Sequence, residues 1–97
     1  MLSDKVKQEL IKLNEGERKS LIESLIKSIE TYKELINDCQ EYIGELTNEL
    51  NRSSCEFEIK DLKDIIESEK QELTHFHNEL NKVRAMLKFA KELQGGN

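Results

Sequence analysis

Proline and tryptophan are both absent from the 97 residues, and no long unbroken apolar run occurs. Without proline, nothing in the chain forces a break inside a helix. Without a run of about 18 apolar residues, no membrane span is expected. The opening residues Met1 to Lys5 lack the apolar core of a secretory signal. Cys39 and Cys55 are too few for a disulfide framework, which points to reduced thiols and a cytoplasmic location. Basic residues are outnumbered, and the net charge of −5 argues against direct nucleic-acid binding.

Catalytic and metal-binding patterns are missing as well. There is no glycine-rich phosphate loop and no nucleophile with a fixed base, so the chain is not expected to be an enzyme. His75 and His77 are the only histidines. On a helix they point roughly 200° apart and cannot grip one ion. His75 and Glu79 have helical spacing, yet a lone pair of this kind reads as a surface contact. No metal and no cofactor are expected.

What the chain does contain is helix-forming sequence. Charged and hydrophobic residues each make up 36%, in the Glu/Lys/Leu/Ile-rich mixture of long helices and coiled coils. A first short helix is expected over about 4–14, capped by Ser3 or Asp4, with Val6, Leu10 and Leu13 on one face. Gly16 is expected to end it in a left-handed conformation. A second helix should span about 17–51. With Ile22 as heptad position a, the a sites are Ile22, Ile29, Ile36, Ile43 and Leu50, and the d sites Leu25, Tyr32, Cys39 and Leu46. A third helix should span about 54–94, opened by a capping box of Ser53 and Glu56. Its a sites are Ile59, Ile66, Leu73, Leu80 and Leu87, and its d sites Leu62, Glu69, Phe76, Val83 and Ala90.

Only the polar stretch Asn51–Ser54 separates the two long patterns. The expected fold is therefore all-α: one domain over 1–97, an antiparallel coiled-coil-like hairpin preceded by a short helix. A four-residue turn predicts partners whose numbers add to about 105, such as Leu46 with Ile59, Cys39 with Ile66 and Leu25 with Leu80. Glu69 then faces Ile36, and its long side chain is expected to swing to solvent toward Lys33 or Lys70.

A two-helix seam leaves apolar residues over. Leu21, Ile26, Leu35, Tyr42, Ile65, Met86, Phe89 and Leu93 widen both stripes, as in bundles of three or more helices. They form a candidate interface. A second copy that completes a helical bundle as a homodimer is the first expectation, and a groove for another protein's helix the second. Charge is also segregated. Residues 34–72 hold twelve acids against four bases. Within them Glu34, Asp38, Glu41 and Glu45 form a candidate acidic face for a basic partner. The functional expectation is a non-enzymatic protein–protein interaction module: an adaptor, chaperone or regulatory subunit. The alternative is a small acidic inhibitor or sequestering protein that blocks a basic nucleic-acid-binding site or captures a small ligand.

Overall fold

Polar caps decide where the first two helices begin. In the computed structural model, which describes residues 2–95, Ser3 accepts a 3.3 Å hydrogen bond from the Val6 amide and opens α1, Asp4–Lys12. Asn14 then opens α2, Glu15–Arg52, through a reciprocal pair: its side chain accepts from the Glu17 amide at 2.8 Å, and the Glu17 carboxylate accepts from the Asn14 amide at 3.0 Å. Both amides would otherwise lack partners.

This box corrects the expected ending of α1. Leu13 and Asn14 are extended and carry the chain from α1 to α2, and Gly16 lies in the first turn of α2. Among the described residues only Gly95 has a positive φ, 69°. Asn14 makes a stronger helix start than Gly16 makes a helix stop, because it satisfies an amide directly.

The long helices α2 and α3 (Glu56–Leu93) have 38 residues each, and the molecule measures 60 × 22 × 18 Å. That length matches the rise of about 1.5 Å per helical residue. The bend is Ser53–Ser54–Cys55. The expected Ser53–Glu56 capping box does not form. Ser53 instead ends α2, its amide donating to the Leu50 carbonyl at 3.3 Å, and Cys55 starts α3 with no side-chain cap. The Ser53 hydroxyl oxygen is buried without a partner.

The moved bend shifts the register. Cys39 meets Glu69, with its thiol 3.4 Å from the Glu69 carbonyl oxygen. Those numbers add to 108, and the midpoint of the bend, Ser54, gives the same sum. The expected 105 assumed a bend one to two residues earlier. The heptad assignment itself is unaffected. Every a and d residue of both long helices is buried or half-buried. Leu25, Ile36, Cys39 and Leu46 of α2 close on Leu62, Ile66, Leu80 and Ala90 of α3. Burial of this apolar seam, at about 25 cal/mol per Å², is what holds the hairpin shut. The core is thin, as expected for a rod. Among the described residues no large side chain is fully sealed, and only Ala90 reaches 0% exposure.

At the open end one arginine ties the elements together. Arg18 Nε donates to Gln94 Oε1 at 2.9 Å, and its Nη1 donates to the Leu13 carbonyl. Gln94 Nε2 in turn donates to the Glu15 carbonyl at 3.4 Å. These contacts bring the Leu13–Asn14 link, the start of α2 and the end of α3 to one place.

Candidate functional site: the groove that carries α1

Closing an antiparallel pair on its a and d residues leaves two broad faces, one lined by the g positions of both helices and the other by the e positions. On the first face α2 supplies Leu21, Ser28, Leu35, Tyr42 and Glu49, while α3 supplies Glu58, Ile65, Glu72, Glu79, Met86 and Leu93. On the second, α2 supplies Lys19, Ile26, Lys33, Gln40 and Thr47. There α3 supplies Glu56 followed by Lys63, Lys70, His77, Arg84 and Lys91. One groove is thus apolar and acidic, and the other is basic.

The short helix lies on the apolar–acidic side. Leu2, Ser3 and Val6 border a hollow with Lys82 and Met86. The Lys7 ammonium stands 5.9 Å from the Phe89 ring centre, a cation–π distance. Leu10 is buried. Val6 and Lys7 thereby rest against the last third of α3, as a nine-residue helix too short to be stable alone requires, while Ile11 stays 51% exposed.

This splits the expected interface residues into three groups. Leu21, Met86, Phe89 and Leu93 lie toward the open end and are half-buried. Leu35, Tyr42 and Ile65 lie between α1 and the bend, and remain 38%, 44% and 40% exposed. Ile26 is exposed but occupies the opposite, basic face. A hollow lined by Lys27, Ser28, Thr31, Tyr32 and Leu35 marks where the uncovered groove begins along α2.

The four candidate acidic residues also divide. All are exposed. Glu34 and Glu41 fall at position f, on the outer back of α2. Asp38 and Glu45 fall at position c and border the Leu35–Tyr42 stripe. Apolar flank and acidic residues, distinct in the sequence reading, become one surface here. Among the described residues the only salt bridge is Lys82 to Glu79, 3.3 Å, so these carboxylates are not neutralised within the chain.

Two further surface features stand out. Phe57 is 84% exposed beside the bend, the most open large apolar side chain described. The α3 column Lys63, Lys70, His77, Arg84 and Lys91 was signalled by its seven-residue spacing, but only the paired helices reveal that no acid stands across from it.

Below the groove floor, the polar layer is built from Cys39 and Glu69. The thiol lies 3.6 Å from Glu69 Oε2 as well as near the carbonyl, so the carboxylate turns along the seam toward the thiol. Burial pushes the Cys39 thiol above its ordinary value of 9.0, and its hydrogen bond to Glu69 and the charges of Glu69 and Glu72 push the same way. A thiol held protonated is a poor nucleophile and a poor metal ligand. Cys55, by contrast, is exposed. His75 and His77 are exposed too. Among the described residues no three His, Cys, Asp or Glu side chains stand together as a metal site would need, and no helix is long and apolar enough to cross a membrane.

Comparison with protein-family models, with curated proteins and with solved structures finds no match to this chain.

Proposed function

We propose that this protein is a non-enzymatic protein–protein interaction module, an adaptor, chaperone or regulatory subunit, that recruits a further helix to the groove carrying α1. One observation carries the reading. Leu35, Tyr42 and Ile65 stay exposed on the same face where α1 is already seated. Apolar residues left open on the face of a seated helix support a recognition surface for another helix. The partner is either a second copy, forming a four-helix bundle as a homodimer, or another protein of basic charge. The two free thiols suit a cytoplasmic setting.

Sedimentation velocity at micromolar concentration tests the dimeric form, on the native chain and on Tyr42→Asp. Because Tyr42 is exposed, the variant keeps its helical content. Self-association that the substitution abolishes supports the dimer, and a native chain that stays monomeric removes it.

A second reading is favoured by the acidic residues Glu34, Asp38, Glu41 and Glu45, all exposed and none engaged in an ion pair among the described residues. In that role the chain is a small acidic inhibitor that blocks a basic nucleic-acid-binding site or sequesters a small ligand. Reversing those four charges would then abolish inhibition, and salt would weaken it.

A further inference from the structure

We infer that the partner is a basic amphipathic helix, seated in the stretch of groove between α1 and the bend. The inference rests on the reading that this face recruits a helix, and adds what kind of helix it takes.

Shape comes first. Two antiparallel helices leave a furrow between them, and α1 lies beside its open end, where Leu2, Ser3 and Val6 meet Lys82 and Met86 of α3. The free furrow runs from Ser28 to Glu49 on α2 and from Glu79 back to Glu58 on α3. At 1.5 Å per residue that is about 30 Å, room for about 21 residues of helix. Along it Leu35 and Tyr42 are one heptad apart, with Ile65 across the seam, which is the floor an apolar heptad stripe would pack on.

Charge then selects the occupant. Glu49, Glu58, Glu72 and Glu79 share the g columns with those apolar residues, and Asp38, Glu45 and Asp61 line the adjoining c columns. Against these seven acids the same columns hold Arg52, beside the bend, and Lys82, which Glu79 already engages at 3.3 Å. A helix with Lys or Arg on both flanks of an apolar stripe would meet carboxylates on both walls. A second copy docked face to face about a twofold axis would instead set the two acidic rims against each other. Stacking the acidic face of one copy on the basic face of the next satisfies charge but does not close, and would build an open-ended assembly.

The test uses two synthetic helices of about 21 residues, with Leu at the a and d positions and either Lys or Glu at e and g, read by fluorescence anisotropy against the full chain. The Lys peptide is expected to bind and the Glu peptide not. Tyr42→Asp should weaken Lys-peptide binding by about tenfold or more, since it sets a charge on the apolar floor. The triple variant Asp38→Lys, Glu45→Lys, Glu72→Lys should lose the Lys peptide and gain the Glu peptide. Glu34→Lys with Glu41→Lys, on the outer back of α2, should change binding by less than about twofold at moderate salt, because those sites lie outside the furrow. Circular dichroism verifies that each variant stays helical. Equal loss from the outer pair and the groove triple would reduce the effect to net charge and overturn the inference. Self-association lost in Tyr42→Asp, with no peptide binding, would also overturn it while leaving the interaction-module reading standing. So would an open-ended assembly that the triple variant dissolves. A chain that neither self-associates nor binds either peptide defeats both.

Discussion

Replacing Gly44 by alanine isolates helix propensity from every other effect in this fold. Gly44 sits at position b of α2, exposed, off the seam and on the side of α2 away from the face that carries α1. A Cβ built there meets nothing within 4 Å, and the residue does not adopt a positive φ. Alanine therefore adds no clash and removes no contact. What changes is the backbone freedom lost on folding, which makes glycine about 1 kcal/mol worse than alanine in a helix interior. In a chain of this length a gain of that size raises Tm by about 4–8 °C. Thermal unfolding followed by far-UV circular dichroism measures it, and urea unfolding should show a higher midpoint with an unchanged slope. Gly16→Ala is a useful companion. Its Cβ would stand 3.5 Å from Asn14 Oδ1, an ordinary contact, and it lies in the first turn, where propensity counts for less. A flat or lowered Tm for Gly44→Ala would refute the reasoning, since it would require another chain packed over that side of α2. A lowering that grows with protein concentration would identify such a chain directly.

Ile36→Asp should abolish cooperative folding, because Ile36 is only 8% exposed in the seam and a buried carboxylate without a cation costs several kcal/mol. Ser24→Asp, at an exposed c position, should stay within about 0.5 kcal/mol of the native chain in the same denaturation assay. Asn14→Ala should cost about 1 kcal/mol and speed hydrogen exchange at the Glu17 amide, which loses its 2.8 Å partner. Iodoacetamide should alkylate Cys55 in the folded protein and spare Cys39 until unfolding. Because the folded state raises the Cys39 pKa, it holds that proton more tightly than the unfolded chain does. The resulting stability is intact below the ordinary value of 9.0 and declines as pH rises through the folded value, a decline that Cys39→Ala should flatten in pH-dependent urea unfolding.

The seam was legible because its information is periodic. Nineteen a and d residues repeat at three and four, and a repeat of that length survives any local misreading. The ends of the helices were less so, because caps compete. Asn14 and Glu17 spell a capping box as openly as Ser53 and Glu56 do, yet Gly16 between them drew the helix stop to itself. At the bend Ser53 was already committed to closing α2, so it could not open α3. The site was half legible. Leu35, Tyr42 and Ile65 stood out as apolar residues beyond the seam, and Asp38 and Glu45 as acids. That they share one face follows only from pairing the helices. Which of the two faces receives α1 is decided by Val6 and Lys7 finding Met86 and Phe89, a tertiary choice with no periodic trace.

The scarcity of ion pairs has an experimental use. Lys82–Glu79 is the one salt bridge among the described residues, and Glu79 and Lys82 are neighbours on the same helix. Among the described residues no salt bridge thus crosses from one arm of the rod to the other. Electrolyte has no such bridge to weaken and screens the facing carboxylates, so it should not lower the melting temperature while it elutes any partner held by the carboxylate-lined furrow, and a simple chloride gradient on the immobilised protein would separate what keeps this molecule in shape from what makes it stick.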